Sequence, residues 1–319
     1  MEEIRNWATR VVANVETVFY GNSAVVQKIL AALLAQGHVL LDDVPGLGKT
    51  ILARSVAISL GAKLSRIQAT PDLMPSDVLG VSVYNPSDGT FKYRRGPLLA
   101  NIVLVDEINR ATPRTQSALL EAMAEGQVTI EGKSLALPAP FFLIATENPI
   151  DFEGTFPLPE AQKDRFLVTL SIGYPERKVE KEILRHHATS HTPLQDLKEV
   201  STLEEVVRLQ SLVPQVHVAE AISDYIITLG ESTRQNQNLR MGISPRGTLA
   251  LYRCCQALAA IRGREFVTPE DVKELVVPVC VSRILPRPSA LVKGFSAHQI
   301  LSAIIDEIPA PHMTEVHKA

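Results

Sequence analysis

The sequence predicts a doubly wound α/β fold, with a parallel sheet covered by helices on both faces, followed by a second part built from helices. Three observations predict it. Four short runs at residues 38–41, 102–105, 141–145 and 166–170 are apolar on both faces and read as buried strands. Helical stretches alternate with them, which is the pattern of a parallel sheet with crossover helices. The strand pattern stops near Gly173-Tyr174-Pro175, and helical periodicity dominates beyond it. The chain has 319 residues, long enough for two domains, and the texture change divides it into 1–174 and 175–319.

The elements follow in order. The first strand, 38–41, leads into a glycine-containing loop and then a helix from Lys49 to about Ser59. Residues 64–68 form a weaker fifth strand. Residues 80–96 alternate Val81, Val83, then Phe91 and Tyr93, around Asn85-Pro86-Ser87-Asp88-Gly89, a hairpin signature. Residues 127–138 repeat that pattern around Glu131-Gly132-Lys133. In the second part, Thr202-Leu203-Glu204-Glu205 is a capping box. Ser244-Pro245-Arg246 and Thr268-Pro269-Glu270-Asp271 open two further helices with a cap and a proline in the first turn.

The loop after the first strand carries the chemistry. In Asp43-Val44-Pro45-Gly46-Leu47-Gly48-Lys49-Thr50-Ile51, Gly46 and Gly48 permit a tight bend that turns backbone amides toward an anion. Lys49 offers a charge to the β and γ oxygens of a nucleoside triphosphate, and Thr50 offers a hydroxyl to magnesium. The following helix aims its positive end at the same point. The general phosphate-loop pattern has glycine where this chain has Asp43, which is tolerated if the side chain turns away to cap the loop's own amides.

Three more candidates follow strands. The run 102–105 ends in Asp106-Glu107, expected as the magnesium ligand and the carboxylate that polarises attacking water. The run 141–145 continues into Thr146-Glu147-Asn148-Pro149, where Asn148 can hold that water or the γ-phosphate. Arg165 stands just before the fourth strand, either as a cation for a neighbouring subunit's γ-phosphate or in a surface pair with Asp164 or Glu160. Arg246 lies in a helix's first turn, against the macrodipole, and is expected to reach the γ-phosphate from the second part.

Bulk properties exclude several classes. A formal net charge of −3 argues against a general nucleic-acid coat. Three cysteines, Cys254, Cys255 and Cys280, without metal spacing fit buried thiols in a reducing cytoplasm. No apolar run approaches the ~18 residues of a membrane span, so no direct membrane insertion is expected.

Taken in order, these motifs resemble the MoxR branch of the AAA+ ATPases. The resemblance is carried by residues 43–50, Val105-Asp106-Glu107-Ile108-Asn109-Arg110, residues 116–123, Ala145-Thr146-Glu147-Asn148-Pro149, residues 158–166 and Ser244-Pro245-Arg246. It spans residues from about 15 to about 279. An acid in place of the first loop glycine is frequent in this branch, so Asp43 supports the assignment. The resemblance implies a P-loop αβα sandwich with a parallel central sheet, the AAA+ core, followed by an all-helical lid domain. It implies ATP and magnesium bound at the subunit boundaries of a homo-oligomer, usually a hexameric ring. Asn148 becomes a first sensor, Arg165 a finger acting in trans, and Arg246 a second sensor on the lid. The hairpins at 80–96 and 127–138 match extra hairpins of the branch. The prolines of Arg283-Ile284-Leu285-Pro286-Arg287-Pro288 argue against a final lid helix.

Family members act on protein clients, often with a partner carrying a von Willebrand factor A domain, so chaperone-like remodelling is the first functional expectation. A nucleic-acid-stimulated translocase is the second. It rests on Lys92 and Arg94 on one face of the first hairpin and Phe91 and Tyr93 on the other; against it, the rings are expected to pack inward. A nucleotide-switched scaffold with little turnover is the third.

Overall fold

Strand residues alternate between two faces, and here both faces are buried. In this computed structural model, which describes residues 1–20, 22–87, 89–130, 132–148, 154–187 and 193–312, five strands form one wholly parallel sheet. They are β1 (Val39–Asp42), β2 (Leu64–Gln68), β5 (Ile102–Asp106), β8 (Phe142–Glu147) and β9 (Val168–Leu170), in the order β2-β5-β8-β1-β9. Between them lie two antiparallel hairpins, β3 (Gly80–Asn85) with β4 (Thr90–Arg95), and β6 (Gln127–Ile130) with β7 (Lys133–Ala136). The fifth strand matches its expected limits, and both hairpins form where alternation placed them. The expected turn residues Asp88 and Glu131, and Pro149 beyond Asn148, lie outside the described residues.

The helices of this part are α1 (Glu2–Glu16), α2 (Ser23–Leu34), α3 (Lys49–Ser59), α4 (Pro75–Leu79), α5 (Pro113–Glu125) and α6 (Glu160–Lys163). One sheet face sends Val39, Leu41, Ile102, Leu104, Phe142 and Ile144 into a core shared with α1, α2 and α3. The other sends Leu40, Val103, Val105, Leu143 and Ala145 into a core shared with α4 and α5. Period-2 alternation thus fills two layers from one set of apolar runs, as the αβα reading requires.

The second part contains α7 (Arg177–His187), α8 (Leu203–Leu212), α9 (Glu220–Gln235), α10 (Pro245–Ile261), α11 (Pro269–Cys280), α12 (Pro288–Val292) and α13 (Ala297–Glu307). The expectation that strands stop altogether is corrected in one place. β10 (Leu239–Met241) pairs antiparallel with β11 (Leu285–Pro286), a ribbon too short to give a sequence pattern. The expectation against a final helix is also corrected. Pro288 occupies the first turn of α12, where a missing N–H costs nothing, and Ser296 caps α13 with Gln299 closing the box.

The caps at Ser244 and Thr268 form as read, and Asp271 completes the latter's box while paired with Arg262 and Arg264. At Thr202 only half the box forms. The hydroxyl accepts from the Glu205 amide, but the Glu205 carboxylate serves Ser201 and Arg10 instead. The cysteines are buried free thiols, and burial pushes Cys254 and Cys280 up to about 12.

The second part is not a separate body. The core of α1–α3 continues without a break into Leu251, Cys254, Leu258, Val272 and Val276 of α10 and α11. Arg283, whose side chain is 3 % exposed, ties it to the sheet. Its guanidinium donates to Asp164 Oδ1 at 2.7 Å, to Leu167 O at 3.1 Å, and to the carbonyls of Phe166 and Val279.

Candidate functional site: a cleft at the carboxyl ends of the strands

In parallel α/β sheets, ligands bind outside the carboxyl ends of the strands. Here a cleft of about 320 Å³ opens at that edge. Pro45, Gly46, Gly48, Lys49, Thr50 and Ile51 line it together with Asp106, Glu107 and Asn148. Gly46 and Gly48 have φ of +88° and +84°, left-handed values at which a side chain is strained. Gly48 caps α3, so the loop delivers free amides at the helix's positive end. Lys49 Nζ donates to the carbonyls of Asp43 and Glu147, the latter at 3.1 Å, and burial lowers its pKa.

Asp43 does turn away, but not to cap its own loop. It is buried and reaches across to the exit of β9. Its carboxylate accepts from Ser171 Oγ at 2.6 Å, Ile172 N at 2.5 Å and Gly173 N at 3.4 Å. Its φ is not positive, so this position does not require glycine. The acid braces the start of the phosphate loop against the segment that leads out of the sheet. Val44 and Leu47 do not line the cleft either; Leu47 faces an adjoining hollow.

Asp106 ends β5 and is buried, with Oδ2 accepting from Arg66 Nε at 2.5 Å. Glu107 adopts φ +55°, an uncommon left-handed value for a residue with a side chain. Three bonds hold it there. Its amide donates to Thr146 Oγ1 at 2.8 Å, its carbonyl accepts from Arg110 N at 2.8 Å, and its Oε2 pairs with Arg110 Nη1 at 3.1 Å. Asn148 is buried, and its carbonyl accepts from Asn109 Nδ2 at 3.4 Å.

The donor set fits magnesium. Magnesium prefers hard oxygen ligands and takes few from protein, keeping water and phosphate oxygens for the rest. One hydroxyl, Thr50, and one carboxylate, Asp106, lining the same cleft meet that description. No cluster of three His, Cys, Asp or Glu residues suited to holding a metal occurs among the described residues.

The two expected arginines also stay away from the cleft. Arg165 is half-buried and donates from Nη1 to Leu120 O at 2.6 Å. The surface pair with Asp164 or Glu160 does not form among the described residues; Asp164 Oδ1 accepts from Arg283 Nε instead. Arg246 is exposed in the first turn of α10, and its side chain makes no hydrogen bond or ion pair among the described residues. Its neighbour Gly247 abuts the Arg283 side chain, which holds the 164–167 segment just before β9. Both arginines therefore stand toward the amino ends of β1 and β9, whereas the phosphate loop follows the carboxyl end of β1. Four strand residues separate those ends by roughly 13 Å. Arg246 is thus not placed to reach the phosphate loop of its own chain.

Residues that sequence reasoning missed complete the cleft: Arg66 and Gln68 on β2, and Thr146 on β8. No motif marks them; only strand register brings Arg66 beside Leu104 and Gln68 beside Asp106. An adjoining hollow of about 480 Å³ is lined by Phe19, Tyr20, Leu47, Gly48, Ile172 and Tyr174, among others. Its walls come from three distant stretches of sequence, so no local signal announced it.

The comparisons with known proteins agree with this geometry. The profile of the ATPase family associated with various cellular activities (AAA) matches residues 38–168, and that of the AAA lid domain matches residues 231–304. The chain is 44 % identical to the uncharacterized protein YeaC of Bacillus subtilis, over 97 % of each chain. It is 37 % identical to the chaperone MoxR1 of Mycobacterium tuberculosis, over 96 % of this chain and 83 % of that one. A crystal structure of a candidate ATPase from Cytophaga hutchinsonii superposes with a TM-score of 0.90 at 34 % identity, over 97 % of this chain and 96 % of the other. With its phosphate loop, its acids at the end of β5 and near-full-length likeness to a MoxR chaperone, the chain belongs to the MoxR family of AAA ATPases.

Proposed function

We propose that this chain hydrolyses magnesium-bound ATP at the cleft between the phosphate loop and β5, within a ring whose neighbouring protomer completes each site. The observation that carries the reading is convergence. Lys49, Thr50, Asp106, Glu107 and Asn148 come from three separate sequence stretches and line one cleft. Lys49 and the loop amides hold the β and γ phosphates; Thr50 and Asp106 hold magnesium, which neutralises charge developing on the transferred phosphoryl group. Glu107 orients and polarises the attacking water, and Asn148 holds that water or the γ-phosphate. The adjoining hollow accepts the adenine ring, with Tyr20 and Ile172 at its walls.

Arg165 and Arg246 serve the cleft of the next protomer. Both stand away from their own phosphate loop, and Arg246 has no partner among the described residues. Their alignment with ATP in a neighbour links hydrolysis to relative movement of subunits, which is how turnover does work on a protein client. Likeness to a chaperone supports remodelling or maturation of partner proteins as that work. No described helix is long and apolar enough to cross a membrane.

Glu107→Gln tests the reading. Nucleotide binding stays within a few-fold of wild type, and steady-state ATPase falls by at least ~100-fold, the scale of losing a general base. Turnover that survives the change would remove Glu107 from the chemistry.

A further inference from the structure

The β3–β4 hairpin is stiffly rooted yet bare at its tip. At the root, a side chain on Gly80 or Gly96 would collide with the carbonyl of Arg94 or of Val78, so the two strands and α4 interlock. Tyr93 Oη donates to Leu79 O, and Leu98 N donates to Val78 O at 3.2 Å. Val78 and Leu98 are buried. The expectation that the hairpin's rings pack inward is therefore half right: Tyr93 is anchored at the root, whereas Phe91 is 72 % exposed.

Each face of the ribbon presents apolar side chains beside a cation. Val81 and Val83, 40 % and 49 % exposed, share one face with Arg94 and Lys92, their cross-strand partners. Tyr84 and Phe91 share the other with Arg95. Neither Arg94 nor Arg95 forms an ion pair among the described residues. Within residues 80–96 the only acid is Asp88, against three bases, in a chain whose net charge is −3. A hairpin with this charge, tied down at its root and exposing apolar side chains beyond it, is built to be covered.

We propose that this hairpin docks an unfolded, acidic stretch of polypeptide with interspersed apolar side chains. Its carboxylates meet Arg94 and Arg95, and its apolar groups cover Val81, Val83 and the Tyr84–Phe91 pair. Polypeptide fits better than a nucleic-acid strand. Two of the four exposed apolar side chains are aliphatic, which bases do not stack on. The two rings also lie against each other, with centroids 5.2 Å apart at 56°, so part of each ring is already covered. The inference rests on the protein-remodelling reading and names the client class that reading leaves open.

The test uses the full chain with a slowly hydrolysed ATP analogue and a fluorescein-labelled peptide of repeated Glu-Leu-Asp-Phe units, read by anisotropy at low salt. Wild type binds it. The double change Tyr84→Ala with Phe91→Ala weakens binding about tenfold, ~1.4 kcal/mol. Arg94→Glu with Arg95→Glu abolishes it, and that variant gains binding to a peptide with Lys in place of Glu and Asp, which wild type rejects. Equal affinity in wild type and both variants overturns the proposal. So does a single-stranded oligonucleotide that displaces the peptide more effectively than unlabelled peptide does. Basal ATPase is read in parallel. Turnover without peptide binding sinks the docking surface alone. Peptide binding that leaves a tagged folded client intact during turnover supports the surface and sinks remodelling.

Discussion

The two ends of the central sheet gather different residues and hold them differently. The carboxyl end gathers the phosphate loop, two acids and Asn148 around one cleft, and each of these lies within a few residues of a strand end. The amino end gathers Arg165, Arg246, Arg283 and His38. There, Arg283 and His38 are buried and fully engaged, while Arg246 projects into solvent. Residue type does not separate these arginines. Burial and partners do: a buried guanidinium with one carboxylate and several carbonyls is a fastening, and an exposed one without a partner is available to another molecule.

The sharpest way to break this comparison is to move Arg165. Arg165→Ala should lower turnover by about 1,000-fold, the scale of an arginine finger, while nucleotide affinity stays within a few-fold. Mixing it with Glu107→Gln, itself inactive, should restore activity. In the proposed ring, mixing would create boundaries where an intact Arg165 faces an intact Glu107. If mixing restores nothing, the amino-end arginines do not act across chains. Arg246→Ala, mixed in the same way, decides that residue separately.

Arg283 should behave oppositely. Arg283→Ala leaves the Asp164 carboxylate and the carbonyls of Phe166, Leu167 and Val279 without this donor. A loss of about 3 kcal/mol in folding stability is expected by denaturant unfolding, and no partner chain can rescue it. A stable Arg283→Ala that fails only in turnover would place it with Arg165 instead.

His38 gives a smaller, pH-dependent effect at the same end. Its Nδ1 accepts from Leu143 N at 3.1 Å, so the proton sits on Nε2, which donates to Met123 O at 3.2 Å. Burial lowers its pKa from 6.5 to about 4. Below pH 6.5 the unfolded chain takes up a proton that the folded chain refuses until about pH 4. Its contribution is therefore complete above pH 6.5 and shrinks as pH falls through that window. Unfolding at pH 7 and pH 5 should differ by about 2 kcal/mol from this group. His38→Gln should lose that part of the slope; an unchanged slope would show that other groups set it.

The legibility of the chain follows the same division. Apolar runs buried on both faces can be read because every residue in them is constrained, and the phosphate loop can be read because its chemistry is contiguous. Asp43 could be flagged as unusual but not explained, since its partner Ser171 lies 128 residues away. Phe91 shows why alternation is incomplete information: the pattern assigns a face, but only the fold says whether anything covers it. Pro288 defeats a local reading because proline ends a helix in its interior and starts one in its first turn, and local sequence does not say which.

Thr146 is the smallest and most local test, at the carboxyl end. Glu107 sits at φ +55° in part because its amide is fixed on Thr146 Oγ1. Thr146→Val keeps the shape and removes the acceptor, so the Glu107 amide loses its partner and the backbone relaxes toward ordinary φ. The carboxylate should then point less well at the attacking water. Turnover should fall about tenfold, worth ~1.4 kcal/mol, with KM for ATP unchanged because Lys49 and the loop amides are untouched. Thr146→Ser retains the hydroxyl and should retain the rate. If Val and Ser variants turn over alike, the strained backbone at Glu107 is held by Arg110 alone, and the cleft depends less on its neighbouring strand than the arrangement of β5 and β8 implies.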